Sequence, residues 1–374
     1  MQSLVEDLES RRILICVGSG GVGKTTTAAA LAVEAAKRGR RTAVLTVDPA
    51  ERLKDALGLG TLHAEPRRVP LGGAAHLDAL LLDVKRTFDE LVVGLAATPE
   101  QARRVLDNRL YQNLSSSLAG TAEYMAVERV YRLAEEGGYD LLVVDTPPAR
   151  HAVDFLDAPR RLLALLDSRA FAILKDPTTI LPAAGSRLAH LLLSGVLRGL
   201  ERFTGIALVR EIGEFVAAID ELTAALHRRV RDVARLLRDP ATALLLVTAP
   251  EPRLVTETET LAGALRAIDL AITGIIVNRA LPRELRPSAG TPPLEGVAPG
   301  LARRLRQGYE DLCTLAARQE ATLAPLIAGA GAPVVAEVPL LAGDPASLAD
   351  LAVIAAHLFP PPAQMASPVI GLGQ

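Results

Sequence analysis

Tryptophan is absent from this 374-residue chain, and aromatic residues supply only 3% of it. Its apolar content is mainly Ala, Leu and Val, a mixture suited to helices packed on a parallel sheet. There are two cysteines, Cys16 and Cys313. They exclude a disulfide framework, and Cys16 lies in an apolar run that reads as core; a reducing, cytoplasmic setting is expected. Three methionines, Met1, Met125 and Met365, exclude a methionine-rich client groove. Charge of one sign is also missing. With 41 basic and 43 acidic residues, the formal net charge is -2. No large electrostatic footprint for nucleic acid is available. Long apolar runs are lacking too. The uncharged run at residues 188–197 contains His190 and, like the others, is too short to span a bilayer. Residues 1–9 carry acids and no apolar core, so no secretory leader is expected.

What is present suffices for a large folded core: 49% of residues are hydrophobic and 22% are charged. Residues 12–17 form a continuous apolar run that ends in a glycine-rich turn, the pattern of a strand buried on both faces. An Ala-rich helix follows and closes at Gly39. Buried strands are expected at residues 42–47, 140–145, 242–248, 271–277 and 333–338. Helices are expected at residues 77–95, 119–136, 301–328 and 345–358. Residues 281–300 are rich in Pro and Gly and read as a loop. Strands alternate with helices at both ends, which predicts an α/β fold with a doubly wound, mostly parallel sheet. Between them, leucines recur at helical spacing and no strand is evident. The expected organisation is a core in two parts, residues 1–158 and 239–359, an all-helical insertion at 159–238, and a flexible tail at 360–374.

Residues 18–25 read Gly-Ser-Gly-Gly-Val-Gly-Lys-Thr, directly after a strand and before a helix. This is the phosphate-loop pattern in the context that gives it meaning. Glycines let backbone N–H groups turn inward around phosphate oxygens, and the helix adds its positive end. Lys24 neutralises the β- and γ-phosphates, and the Thr25 hydroxyl is placed for Mg²⁺. ATP and Mg²⁺ are therefore the expected ligands. Asp145 ends a buried strand, where P-loop proteins hold Mg²⁺ through water. Asp48 ends another and should lie on the same sheet edge, where an aspartate can orient attacking water. His151 reads equally as a nucleotide sensor or as a polar residue starting a helix. The apolar stripe over residues 188–208 reads as core or dimer contact, with client binding as the other role.

Taken together, these segments resemble the ATPases related to the arsenite pump (ArsA) and to the guided-entry system for tail-anchored membrane proteins. Gly20-Gly21-Val22-Gly23-Lys24-Thr25-Thr26 is similar to the family's deviant phosphate loop. Asp48-Pro49-Ala50 followed by Leu53 resembles its first switch. Asp145-Thr146-Pro147-Pro148 leading to His151 resembles its second. Val277-Asn278-Arg279 resembles the strand end whose Asn meets adenine, and Val338-Pro339-Leu340-Leu341 the loop that packs on the base. The resemblance implies a dimeric ATPase in which Asp48 and Lys24 act in catalysis and Thr25 and Asp145 hold Mg²⁺. Asn278, Pro339 and Leu340 would contact the base, and the helical insertion would bind a hydrophobic protein client. Membrane integration and nucleic-acid binding are not expected.

The chain departs from the family where a lysine two residues into the loop normally reaches the partner's phosphates. Ser19 stands there, and it cannot supply that charge. A heterodimer with a lysine-bearing paralogue, or a low-turnover nucleotide switch, is the alternative to a self-sufficient homodimer. No Cys-x-x-Cys pair is available for a zinc clasp. A third alternative, the energising ATPase of an anion pump, lacks a three-thiol arsenite site.

Overall fold

The computed structural model describes residues 4–48, 52–108, 111–112, 121–169, 206–285 and 297–360. Pro49 and Ala50 of the switch-like segment, most of the 188–208 stripe, residues 286–296 of the Pro/Gly-rich segment and the tail 361–374 lie outside the described residues. The chain divides into two units. One comprises residues 1–82, 132–153 and 239–374, and the other residues 83–131 and 154–238.

The first unit holds an eight-stranded sheet in the order β3-β4-β2-β5-β1-β6-β7-β8. Its strands are β1 (Ile13–Gly18), β2 (Thr42–Thr46), β3 (Arg67–Arg68), β4 (Leu77–Leu81), β5 (Leu141–Asp145), β6 (Thr242–Thr248), β7 (Ile272–Ala280) and β8 (Val334–Pro339). All neighbours pair in parallel except β3, which runs antiparallel to β4 at the edge. Every residue of β1, β2 and β5 is buried. That burial on both faces explains why these strands read as unbroken apolar runs. Helix α1 (Leu4–Ser10) precedes β1. Helix α2 (Lys24–Lys37) lies on β1, β2 and β5. Its alanines 28, 29, 30, 32, 35 and 36 are buried, and their small side chains let the helix sit close to the strands. Helix α3 (Arg52–Ala56) follows β2.

One sequence expectation fails here. Residues 77–95 are not one amphipathic helix. Leu77–Leu81 forms strand β4, parallel to β2, and α4 begins only at Val84–Leu95. Leu77, Ala79 and Leu80 are buried in the sheet. The Asp83 side chain accepts from the Arg86 N–H at 2.9 Å and caps the true helix start. A five-residue apolar run carries no period long enough to separate strand from helix. Asp78 sits in this strand, and burial alone would raise its pKa. Hydrogen bonds from Arg68, His76 and Tyr139 overcome that and hold its carboxyl below the usual range.

The second unit is helical among the described residues. It draws on α4, α5 (Pro99–Leu106), part of α6 (Thr121–Glu136), most of α7 (Ala149–Leu166) and α8 (Ile206–Leu236). Val92, Val105, Tyr111 and Leu222 form a buried cluster, with Phe88 packed edge-on to Tyr111. Glu128 is fully buried and accepts from Arg229 at 3.1 Å, which joins α8 to α6. The guanidinium of Arg229 also lies 4.8 Å from the centre of the Tyr131 ring. The remaining helices belong to the first unit: α9 (Pro252–Ala267), α10 (Pro299–Ala330) and α11 (Leu348–Leu358). No described helix is long and apolar enough to cross a membrane.

Candidate nucleotide site

The carboxyl ends of the parallel strands gather the residues singled out in the sequence. Gly18 ends β1, Asp145 ends β5, and Asp48 follows β2 by two residues. Asn278 lies near the end of β7, and Pro339 ends β8 with Leu340 beyond it. This is the edge at which open α/β sheets bind ligands.

Between β1 and α2 the chain forms a tight loop. Gly21 has φ +79 and Gly23 φ +91, both left-handed, so glycine relieves a steric penalty at each. Space imposes a second requirement. A Cβ on Gly18 would lie 2.2 Å from the Val247 carbonyl oxygen, and one on Gly23 would lie 2.2 Å from Asn278 Nδ2. The same Nδ2 donates to the Val22 carbonyl at 2.8 Å, while Asn278 Oδ1 accepts from the Arg279 N–H. Asn278 therefore props the loop from β7. Leu340 donates its N–H to the Ala280 carbonyl, and its side chain is 61% exposed.

Lys24 opens helix α2 and is buried. Its Nζ donates to the Ser19 carbonyl at 2.9 Å, which folds the lysine back over its own loop. Burial lowers its pKa, opposed by the charges of Asp145 and Asp48. Beside it the Thr25 hydroxyl donates to Asp145 Oδ2 at 2.8 Å, and the Thr46 hydroxyl donates to the same oxygen at 3.0 Å. Asp145 Oδ1 is buried and receives no hydrogen bond among the described residues. Burial pushes the Asp145 carboxyl up to about 6, against the pull of Thr25, Thr46 and Lys24. A buried, half-satisfied carboxylate beside a threonine hydroxyl is a donor set that suits a hard divalent cation and its water. Thr26 is half-buried in the first turn of α2. The Thr146 hydroxyl donates to the Cys16 carbonyl at 2.7 Å, tying the segment after β5 to β1. Pro148 of that segment stands 3.9 Å from where a Gly20 Cβ would be.

The chain matches a known family over most of its length. Residues 11–290 match the family model described as anion-transporting ATPase. The chain belongs to that family. Among relatives, it is 25% identical to the ATPase GET3 of Phaeosphaeria nodorum over 284 residues, covering 74% of this chain and 78% of that one. It is 27% identical to the ATPase GET3 of Podospora anserina over 285 residues, 75% of this chain and 76% of the relative. A shorter stretch of 160 residues is 32% identical to the ATPase get3 of Aspergillus terreus, 42% of this chain and 46% of the relative. The family is that of P-loop ATPases of the ArsA and GET3 type, as the sequence motifs implied.

Two residues of this region, Thr46 and Thr258, carried no signal in the sequence. The Ser19 side chain is fully buried, with Oγ 3.1 Å from Thr258 Oγ1 and 3.3 Å from the Leu254 carbonyl, both on α9. Thr46 gives Asp145 its second donor. His151 is exposed in the first turn of α7, with its backbone N–H on the Pro148 carbonyl. Cys16 is buried, and burial drives its thiol far above the usual range, so it stays neutral.

Proposed function

We propose that the chain binds MgATP at residues 20–26 and hydrolyses it, and that nucleotide state governs a helical region that binds a hydrophobic protein client. One observation carries the reading: Thr25 Oγ1 lies 2.8 Å from Asp145 Oδ2 while Asp145 Oδ1, though buried, lacks a donor among the described residues. A cation held there by Thr25 and Asp145 would supply positive charge to the phosphate oxygens. Lys24 leaves the Ser19 carbonyl for the β- and γ-phosphates, and the backbone N–H groups of the loop cradle the same oxygens. Asp48 lies close enough to interact electrostatically with both Lys24 and Asp145, which supports its role in orienting the attacking water. Asn278, Pro339 and Leu340 contact the base from the ends of β7 and β8. The working form is a cytoplasmic dimer.

The test is a pair of variants. Lys24→Ala abolishes nucleotide binding in calorimetry. Asp48→Asn retains binding and loses turnover; turnover kept at the wild-type rate would end the assignment of Asp48.

The closed environment of Ser19 supports a second reading, in which full turnover needs a lysine-bearing paralogue that donates its charge across a heterodimer. Comparing ATP turnover of the chain alone with turnover in the presence of such a paralogue separates the two. Fast turnover alone excludes the second.

A further inference from the structure

Asp48 follows β2, and beyond it Arg52 opens the five-residue helix α3. Leu53 and Ala56 are buried, and α3 packs on α2, the helix that begins at Lys24. Arg52 is thus presented by a helix anchored in the core, and is itself exposed. Its charge reaches the phosphate loop. Burial is the chief cause of the lowered Lys24 pKa, and Arg52 adds to the fall while Asp145 and Asp48 resist it. A like charge acts in this way only from nearby.

Arg52 gains little from this position. Among the described residues its guanidinium has no hydrogen bond or ion pair. An arginine at the first position of a helix also opposes the macrodipole. The neighbouring acids have other tasks in the reading above, Asp145 with the divalent cation and Asp48 with water. Lys24 differs, because it already has an acceptor in the Ser19 carbonyl. A second cation without an acceptor, set beside the first where α2 meets the phosphate loop, suits an anion of more than one charge. Guanidinium donors form a planar fork that matches phosphate oxygens. The loop offers no second charge of its own, since Ser19 is buried with its hydroxyl against Thr258.

We propose that Arg52 is a catalytic residue that contacts the γ-phosphate from within the same chain and supplies the charge that Ser19 does not. This rests on the MgATP reading above. As the bond from the γ-phosphorus to the leaving oxygen of ADP breaks and the bond to the water oxygen forms, charge spreads over the γ-phosphoryl oxygens. Arg52 stabilises those oxygens. ADP has no γ-phosphate and leaves Arg52 unengaged, so the contact distinguishes the two nucleotides.

Calorimetry on the full chain with Mg²⁺ compares ADP with a non-hydrolysable ATP analogue, and ATP turnover is measured on the same samples. Arg52→Ala is expected to weaken the analogue about tenfold or more, the loss of one charged contact. ADP affinity and Tm stay unchanged. Its kcat falls about 10³-fold. Arg52→Lys keeps much of the analogue affinity and recovers only part of kcat, because an ammonium cannot form the fork. A wild-type chain that binds neither nucleotide defeats the MgATP reading itself. A wild-type chain that binds both, with Arg52→Ala either matching it or losing ADP and analogue equally, overturns Arg52 alone. So does an unchanged kcat in Arg52→Ala, or a wild-type chain that turns over only beside a lysine-bearing paralogue.

Discussion

The hydroxyl of Ser19 lies 3.1 Å from the hydroxyl of Thr258, and both side chains are buried. Thr258 in turn donates to the Leu254 carbonyl at 2.6 Å, so the phosphate loop is fastened to the first turns of α9. A side chain enclosed in this way offers nothing to a neighbouring subunit. The difference from the lysine-bearing pattern is therefore one of direction as well as charge.

Restoring the lysine is accordingly expected to fail. Ser19→Lys places an ammonium where a small hydroxyl was enclosed, and destabilises the fold by about 2–4 kcal/mol, read as a lower Tm. Ser19→Ala loses only the hydrogen bond, about 1 kcal/mol. A Ser19→Lys protein with unchanged Tm and faster turnover would show that the loop can turn its side chain outward.

Asp145 should trade stability for function. Its folded pKa of about 6 is above the ordinary aspartate value of 3.8, so the folded state binds more protons between those values. Stability contributed by this group is greatest below about 4 and is lost as pH rises through 6, by about 3 kcal/mol at most. Asp145→Asn is expected to raise the metal-free Tm at pH 8 and to lose that advantage by pH 4. The same variant loses Mg²⁺-dependent turnover. Equal Tm values for the two proteins at pH 8 would contradict the burial argument.

Gly23 answers to two constraints that can be separated. Gly23→Ala meets the Asn278 amide and forces a left-handed φ on alanine, the second costing about 1–2 kcal/mol. Combining it with Asn278→Gly removes the clash and leaves the backbone strain. Chemical denaturation should show partial recovery in the double variant and none if strain alone mattered.

Asn278 alone gives a further check. Asn278→Ala frees the Val22 carbonyl and removes the prop from β7. Stability falls by about 1 kcal/mol. If the amide also reads the base, KM for ATP rises and preference over GTP shrinks, with kcat nearly constant. A change confined to kcat would point to the loop alone.

Arsenite is expected to leave ATP turnover unchanged. Cys16 is buried with its thiol held neutral, and the chain has one other cysteine, Cys313. Stimulation that survives Cys313→Ala would require either the buried Cys16 or a site without thiols.

Much of this molecule is written locally. The apolar runs that became β1, β2 and β5, the alanines of α2 and the glycines of the loop are constrained by neighbours a few residues away, so pattern and spacing reveal them. Leu77–Leu81 shows where local pattern fails: Leu-Asp-Ala-Leu-Leu fits either period, and only its pairing with β2 decides. The phosphate loop, the two strand-end aspartates and the family were legible for that reason.

Tertiary structure alone decided how those residues act. It brought Thr258 to Ser19 across 239 positions, and Asn278 to Val22 across 256. It gave Asp145 two threonine donors on one oxygen and, among the described residues, none on the other, and burial then raised its pKa. Sequence records which groups are present. Folding sets their distances and removes their water, and hydrogen bonds and ionisation depend on both.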